Sequence, residues 1–555
     1  MPITSSRICT ISRIDSGREA ARVIDHKPMS TSEIAKPAEK VYEGTEARPR
    51  AFMPASSTTG VNKPRSTFVS DVLKLVSGST SAQILTLLTA PFIARLFAPA
   101  AFGAAALFLS ITGVISAVVG MRYELSIVLP EKDEDAANAM AVSLSFIGLT
   151  SGLTAVLVRF AGGWTLRLLH APELYSYLWL IPIAVLLNGI FAALSYWNTR
   201  KKRFGRQTIA QLAAAVFFVI AQISAGLAGH SSGGTIIVAT VLSILLSTCV
   251  LGAQTWGECW RLFVHSVTVK HMTATLKRYS SFLKYSTASA VLNNLGWQVP
   301  TFMLSAYFSA TVVGHYAIGN KVLRIPVNLL GANIATVFFQ HASDAHHQGA
   351  LRESVDKVFK YLLAIFVFPS LMLCLIGRDL FVVAFGNRWA EAGVYTQILS
   401  IYVLFWFMAV PLGIALNVLE KQALELRLVI VVLLARVVAL FVGGIVGNAR
   451  FTLALFSVTG VAVYGYFCLV VLRSCAIPLA KIGHALGSSL AKFIPAGLIV
   501  GALKWSGVSP IAVLAVSTVL VAWYYWHLMR TDATGREVLT ALLQKLAPAR
   551  SYSAS

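Results

Sequence analysis

The chain has 555 residues, of which 56% are hydrophobic and 13% are charged, and its mean hydropathy is +0.70. Soluble globular proteins are about 45–50% apolar and about 25% charged, so this composition argues against a water-soluble enzyme and excludes a disordered or fibrous protein. The net charge of +22 comes mainly from short segments between apolar stretches. Such cations are typical of loops that face anionic lipid head groups, so we expect membrane lipids and no nucleic acid as partners.

The chain begins with a polar segment that contains no apolar run of signal-peptide length. Serine, threonine, proline and charged residues dominate it, which predicts a disordered cytoplasmic tail over residues 1–66. Residues 531–555 predict a second cytoplasmic tail, with an amphipathic segment at 536–546.

Between the two tails, apolar stretches of about 20 residues recur, and each is long enough to cross a bilayer as a helix. The predicted fold class is an all-α polytopic membrane protein with about 14 transmembrane helices. Lysine and arginine are more frequent in the loops that a cytoplasmic N-terminus would place inside the cell. Both termini are therefore expected in the cytoplasm. The predicted span centres are Leu87, Ile111, Leu149, Leu186, Val219, Leu245, Gln298, Asn328, Phe366, Tyr402, Ala435, Thr459, Gly497 and Val516.

An internal repeat relates the first and seventh spans. Residues 73–77 read LKLVS and residues 283–287 read LKYST, and Pro91 and Pro300 follow them within their spans. A separation of about 210 residues, or six spans, predicts two parallel repeats, as in transporters that alternate access between two bundles. The predicted divisions are an N-terminal six-helix bundle over 67–270, a C-terminal six-helix bundle over 271–475, and two additional helices over 476–530. A chance match of small and apolar residues is the alternative.

Motifs of soluble catalysis are absent, including the phosphate-binding loop, the dinucleotide fingerprint and the zinc-protease and hydrolase signatures. A single-chain ATP-driven pump is therefore excluded, because nothing in the sequence could bind the phosphates, and we expect no cofactor and no metal site. One segment is dense in metal-ligand residue types, and its polarity predicts a solvated loop. Its residues are His341, Asp344, His346 and His347.

Two cations lie inside the eighth predicted span. Lys321 and Arg324 are three residues apart, so a helix places both on one face. A lysine or arginine at a helix centre costs about 2.5–3.5 kcal/mol on insertion scales, so these residues are expected to face a cavity. Arg324 lies deeper and is the main predicted contact for an anionic substrate. Snorkelling to the interface is the alternative, and it is favoured for Lys504 near a span end.

Further polar residues accompany this pair. Asn293, Asn294 and Gln298 form a polar stripe on the seventh span, which predicts that they face the two cations. Lys74 enters the first span, where snorkelling is favoured over substrate binding. Arg436 lies in the eleventh span, where substrate binding and pairing with a carbonyl between helices are equally supported.

The end of the second span carries Arg122 and Glu124. On a continuous helix these residues point to different faces, so they are not expected to pair with each other. They are either a gate at the mouth of a cavity or a helix cap. Acidic residues deep in the predicted spans are scarce, which argues against a proton-driven drug antiporter built on a buried carboxylate.

A further set of short motifs is spread along the chain: Leu96-Phe97-Ala98-Pro99, Phe102-Gly103, Arg122-Tyr123-Glu124, Ile127-Val128-Leu129-Pro130, Val313-Gly314-His315-Tyr316, Arg324-Ile325-Pro326, Phe385-Gly386, Trp389 and Pro411-Leu412. Together these motifs resemble bacterial polysaccharide and O-antigen flippases, a family of the multidrug/oligosaccharidyl-lipid/polysaccharide exporter superfamily. The similarity covers roughly residues 68–475.

The resemblance implies two six-helix bundles around a central cationic cavity, plus two extra helices. Members of this family move polyprenyl-diphosphate-linked oligosaccharides across the bacterial inner membrane for O-antigen, capsule or exopolysaccharide synthesis. They break no covalent bond, so the resemblance implies that the protein is not an enzyme. It suggests a polysaccharide polymerase and export machinery as further partners. The polar tail over 1–66 departs from the family pattern, since such proteins usually start near the first helix.

Two other functions compete with this one. A cation-coupled drug antiporter of the same superfamily would carry buried carboxylates. A membrane polysaccharide polymerase or ligase would present a large periplasmic loop with functional arginines or acids. The longest loops predicted outside, at about 160–174 and 378–393, are short.

Overall fold

The structure, a computed structural model, describes residues 65–327 and 332–531, and this part is built from helices without a β-strand. The predicted tails lie almost entirely outside it. The α-helices are α1 Arg65–Leu96, α2 Pro99–Ser116, α3 Asp133–Leu168, α4 Leu180–Arg200, α5 Phe204–Leu227, α6 Gly233–Ser266, α7 Val269–Arg278, α8 Thr287–Tyr307, α9 Ala310–Pro326, α10 Ala332–His347, α11 Leu351–Phe385, α12 Ala390–Val418, α13 Gln422–Val446, α14 Ala449–Ser474, α15 Leu479–Trp505 and α16 Pro510–Thr531.

Within the described residues, eleven helices are long and apolar enough to cross a membrane, namely α2–α6 and α11–α16. This confirms an all-α polytopic membrane protein. The count of 14 stays a prediction, because α1 has only a short apolar stretch, Ser81–Leu96, and α8–α10 do not meet the same criterion. The centre predicted for the eighth span, Asn328, lies outside the described residues.

The buried apolar residues form two large clusters. One runs from Ile93 to Leu251 and joins α1–α6, and the other runs from Leu304 to Ile482 and joins α8–α15. We call these the first and second bundles; the boundaries predicted at 270 and 475 stay predictions. Helices α15 and α16 pack on α11, where the rings of Phe368 and Tyr524 stack at 4.2 Å.

Three expectations about loops are corrected by the described helices. Helix α3 continues to Leu168 and α11 to Phe385, so much of the predicted loops at 160–174 and 378–393 is helical. The segment with His341, predicted as a loop, lies on α10. Its polar residues are compatible with a helix because most of them, including Asp344, remain exposed on its surface.

The two bundles meet where α1 ends and α2 begins, here named the α1–α2 end. Helices α2 and α9 cross there, and a Cβ atom at Gly103 would lie 1.8 Å from the Ala310 carbonyl oxygen. Reciprocally, a Cβ at Gly314 would lie 1.8 Å from the Pro99 carbonyl oxygen. Only glycine permits this approach, in which small residues let backbones come together.

Hydrogen bonds between the bundles reinforce the same end. The buried Trp389 Nε1 donates to the Ala94 carbonyl at 2.8 Å, and the Ser305 hydroxyl donates to the Leu169 carbonyl at 2.6 Å. Both bonds join the first bundle to the second, so the protein is closed at the α1–α2 end.

The opposite end, where α2 turns into α3, carries the link between bundles. Helix α7 begins after Thr268, whose side chain accepts a hydrogen bond from the His271 backbone N–H. The Tyr123 hydroxyl donates to the Leu276 carbonyl at 3.0 Å. This contact fixes the link to the turn that follows α2.

Candidate functional site

Lys321 is a cation on a helix between the bundles. Helix α9 packs against α2 of the first bundle and against α12 of the second. The Lys321 side chain is exposed, although many protein atoms lie around it. No ion pair or hydrogen bond engages it within the described part of the chain. An enclosed, reachable and unpaired ammonium group is suited to binding an anion.

Arg324 occupies a different environment, although it lies on the same helix. Its guanidinium carbon is 4.8 Å from the centre of the Trp297 ring and 5.8 Å from that of Trp406. These distances allow cation–π attraction to both indoles. The Arg324 Nε atom is buried without a hydrogen-bond partner. Arg324 is therefore packed against an aromatic cage of two indole rings, whereas the Lys321 side chain remains exposed.

The polar stripe predicted on the seventh span is divided among three roles in α8. Asn293 is exposed. The Asn294 side chain donates to the Ala290 carbonyl of its own helix at 3.0 Å. Gln298 Oε1 accepts a hydrogen bond from the Ser110 hydroxyl of α2 at 2.9 Å, so Gln298 joins the two bundles.

Arg436 is engaged by the protein itself. Its guanidinium donates to the Gly296 carbonyl at 3.0 Å and to the hydroxyls of Tyr402 and Tyr464 at 3.0 and 2.7 Å. The Gly296 carbonyl needs this donor because residue 300, which would bond it in a continuous helix, is proline and has no N–H. Of the two predicted roles, pairing with a carbonyl between helices is what the geometry shows.

The space beside Arg436 is small. A cavity lined by Trp297, Tyr316, Asn320 and Tyr402 reaches Arg436, but its free volume is only about that of one water molecule. A diphosphate group does not fit there in this conformation. Arg436 thus ties α8, α12, α13 and α14 together.

Two further lysines were predicted at span ends. Lys74 lies within α1, but its side chain is outside the described part of the structure. Lys504 was expected to snorkel, and its ammonium group lies 2.7 Å from the Asp379 carboxylate. Lys504 also donates to the Leu375 carbonyl at 2.7 Å, so it fastens α15 to α11.

Arg122 and Glu124 do pair, contrary to the prediction from helical geometry. Helix α2 ends at Ser116, Arg122 adopts a left-handed conformation with φ of 62°, and a 3₁₀ turn covers Tyr123–Val128. Because the helix has ended, Arg122 Nη1 comes within 3.7 Å of Glu124 Oε1.

The turn after α2 is held by a residue that sequence reasoning did not select. Arg200, at the end of α4, donates to the Asp133 carboxylate at 3.1 Å and to the carbonyls of Pro130 and Glu131. Its sequence signal was a run of four basic residues, which also fits an ordinary cytoplasmic loop. No sequence pattern indicated the aromatic partners of Arg324 and Arg436, because these partners lie on helices that are distant in the chain.

The two buried clusters and the apolar helices define an all-α polytopic membrane protein. Residues 92–394 match the family described as "Polysaccharide biosynthesis protein". This match covers more than half of the chain, so the chain belongs to that family.

Two curated relatives are similar to parts of the chain. An "Uncharacterized membrane protein in cps region" of Klebsiella pneumoniae is 24% identical over 223 residues, 39% of this chain and 46% of the relative. The "Succinoglycan biosynthesis transport protein ExoT" of Rhizobium meliloti (strain 1021) is 22% identical over 325 residues, 56% of this chain and 60% of the relative. The chain thus spans about half the length of the curated relatives it matches.

Solved structures share the fold at low sequence identity. A "Lipid II flippase MurJ, inward closed conformation" superposes with a TM-score of 0.64 and 10% identity, covering 82% of this chain and 98% of that one. An inward-facing multidrug resistance MATE family transporter of the MOP superfamily gives 0.56 and 12%, covering 73% and 98%. These matches show that the fold is shared.

Proposed function

We propose that this protein is a flippase that moves a polyprenyl-diphosphate-linked oligosaccharide across the inner membrane for cell-surface polysaccharide biosynthesis. Membership of the polysaccharide biosynthesis family carries this proposal. The name of the Rhizobium relative, a biosynthesis transport protein, supports it, as does the fold shared with a lipid II flippase. The reaction breaks no covalent bond, so the protein acts as a transporter and not as an enzyme.

The cation between the bundles supplies the chemistry for a diphosphate head group. Lys321 is reachable and unpaired, and a charge-assisted hydrogen bond to phosphate is about twice as strong as a neutral one. We place Lys321 as the first contact and the exposed Asn293 of α8 as a polar contact for the sugar. Arg324 approaches the substrate when its aromatic cage opens, and Arg436 positions the helices around it. This order reverses the ranking expected from depth in the span.

The transport cycle follows from the closed α1–α2 end. With both termini in the cytoplasm, as the lysine and arginine distribution favours, the closed end faces the periplasm. The head group enters from the cytoplasmic side while the polyprenyl chain stays in lipid. The bundles then rock to open the other side. The proposed partners are the lipid-linked substrate, membrane lipids and the polymerase and export machinery that use the product.

Leaflet transfer in proteoliposomes tests this function. Purified protein is reconstituted with a fluorescent polyprenyl-diphosphate oligosaccharide, and an external sugar-modifying reagent reports how much substrate has moved inward. Protein-dependent protection of the label supports the flippase. Transfer equal to that of empty liposomes for several glycans, together with efflux of a cationic dye, would favour the drug antiporter instead. Lengthening or joining of glycans would favour the polymerase or ligase.

A further inference from the structure

A groove opens on the first bundle where α3 ends and the chain turns toward α4. Its second wall is a short 3₁₀ helix, Pro172–Tyr177, and its volume is about 560 Å³. This volume is typical of small-molecule sites. The residues that line the groove are Gly163, Leu166, Arg167, His170, Pro172 and Tyr175.

Two adjacent glycines of α3 hold the walls of the groove together. A Cβ atom at Gly162 would lie 2.9 Å from Leu178 Cδ1, so the chain that follows the 3₁₀ helix packs directly on α3. A Cβ atom at Gly163 would lie 3.7 Å from Tyr175 Cε2, so the tyrosine ring lies against the backbone of α3 and is otherwise exposed. The groove is therefore fixed by packing between two helical segments.

The groove carries cations that no acidic side chain neutralises. The Arg167 Nε donates to the Gly163 carbonyl at 3.3 Å, so its guanidinium lies along the groove, one turn back from its own Cα atom. His170 follows α3 with a φ of 48°, a position where glycine is the usual residue. Across residues 65–327 and 332–531, neither side chain has an ion pair, and Glu173, the nearest acid in the sequence, does not line the groove. The groove is therefore suited to an anion.

The length of α3 places this groove outside the hydrocarbon core of the membrane. Its 36 residues extend over about 54 Å, at about 1.5 Å per residue, whereas the hydrocarbon core is about 30 Å thick. A tilt of about 40° would still leave about 41 Å along the membrane normal. The exposed cations Arg159 and Arg167 mark the C-terminal end of α3 as a part that projects. The groove therefore opens toward water and head groups.

We propose that this groove binds an acidic sugar unit of an oligosaccharide. The Arg167 guanidinium would pair with the carboxylate of a uronic acid, and His170 would donate a hydrogen bond to a neighbouring oxygen. The exposed Tyr175 ring would stack on the apolar C–H face of the sugar. Charge and an aromatic face together favour an acidic glycan over a neutral one.

The groove borders the contact that closes the α1–α2 end. Leu169, between two of the lining residues, accepts the hydrogen bond from Ser305 that joins the bundles there. In the orientation proposed above, this end faces the periplasm, where the transported glycan emerges. Binding of the transported glycan at this place rests on the proposed function, whereas binding of a free acidic oligosaccharide does not.

Calorimetric titration of the purified full-length protein in detergent micelles tests the site without transport. The probe is tetragalacturonate, and maltotetraose is the neutral comparison of the same length. Tetragalacturonate should bind at least about tenfold more tightly, because maltotetraose has no carboxylate. Arg167→Gln should weaken the binding of tetragalacturonate about 10- to 100-fold, the effect of losing a hydrogen bond to a charged group. Tyr175→Ala should weaken it up to about tenfold.

Arg159→Gln is the matched control, because it removes an exposed cation of the same helix that does not line the groove. It should bind tetragalacturonate like the wild type. An equal loss in Arg159→Gln and Arg167→Gln would mean that the acid is attracted to the charged surface in general. Equal binding of the two oligosaccharides by the wild type would also overturn the site.

A phospholipid head group is the competing occupant. Glycerol phosphate, a soluble head group, should bind more weakly than tetragalacturonate, because it offers no sugar face to Tyr175. Tighter binding of glycerol phosphate, lost in Arg167→Gln, would make the groove a lipid site and contradict the proposal.

The leaflet-transfer assay separates this site from the proposed function. Transfer of lipid-linked oligosaccharide without binding of tetragalacturonate would overturn the acidic-sugar groove and leave the flippase assignment intact. Arg167-dependent binding of tetragalacturonate without transfer of any glycan would mean that the flippase assignment fails while the groove stands.

Discussion

At the scale of the residue, the role of each cation depends on which groups surround it. Lys321 and Arg324 lie on one helix, but only Arg324 has aromatic rings against its charge. Arg436, in an apolar helix, has hydrogen bonds to a carbonyl and two hydroxyls. A buried cation with such partners is a structural element, whereas a reachable cation without them is available to a ligand.

Substitution of Lys321 tests its place as the first substrate contact. Lys321→Gln should lower leaflet transfer by about 10- to 100-fold, because a hydrogen bond to a charged group contributes about 1.5–3 kcal/mol. Lys321→Arg should keep most of the activity, since the charge remains. Transfer is measured in proteoliposomes at equal amounts of inserted protein.

The control for Lys321 is Lys357→Gln, which removes an exposed lysine from α11. It should transfer at the wild-type rate. If Lys321→Gln also transfers normally, Lys321 is not a substrate contact, and the binding role returns to Arg324.

At the scale of the element, α8 lacks one backbone N–H donor, at Pro300. The Gly296 carbonyl would be left unsatisfied by this proline, and Arg436 of α13 supplies the missing donor at 3.0 Å. The proline lies on α8, and the side chain that supplies the missing donor lies on α13. The pair therefore couples the shape of α8 to the position of α13.

A double-mutant cycle measures this coupling. Arg436→Met should lower the free energy of unfolding by about 1–3 kcal/mol, the cost of an unsatisfied buried polar group. Pro300→Ala restores the backbone donor, so Arg436→Met should cost less in that background. Unfolding midpoints in detergent micelles provide the measurement.

Arg450→Met is the matched control for this cycle. Arg450 pairs with Glu391 away from Pro300, at 2.6 Å, so its substitution should combine additively with Pro300→Ala. Equal costs of Arg436→Met in the two backgrounds would show that the proline and the arginine act independently.

At the scale of the whole molecule, the reciprocal crossing of α2 and α9 holds one end closed. The glycines that meet there, Gly103 and Gly314, are about 210 residues apart, which is the separation of the repeated motifs. The backbone carbonyl of the first residue of each helix packs against the glycine of the other helix. The close approach therefore depends on both glycines in the same way.

Adding a methyl group at this crossing should open the α1–α2 end. In Gly103→Ala and Gly314→Ala the new Cβ atom would overlap a backbone carbonyl, so the closed conformation should lose population to one in which the bundles have separated. Spin labels at Phe160 and Trp505, two exposed residues, report the change as a longer distance.

Gly148→Ala provides the control, since nothing lies within 4 Å of the added atom. It should leave the label distances unchanged. Unchanged distances in both Gly103→Ala and Gly314→Ala would mean that the crossing tolerates the methyl group and does not control closure.

Much of the fold was predictable from the sequence, and less of the site. Apolar length and charge bias predicted the all-α polytopic class, and the motifs around Phe102 and Arg122 indicated the family. The pairing of Arg122 with Glu124 was missed because helical periodicity was extended past Ser116, where the helix ends. The partner of Lys504 was missed because Asp379 belongs to a different helix.

The sequence by itself determined that this protein lies in a membrane as a series of helices, because hydrophobic length and composition are local properties that a bilayer reads directly. It also placed cations inside predicted spans. Only the tertiary structure decided that Arg324 packs against aromatic rings, that Arg436 donates to the carbonyl left free by Pro300, and that Lys321 stays exposed. These roles depend on contacts between helices that are far apart in the chain, and no local pattern encodes them.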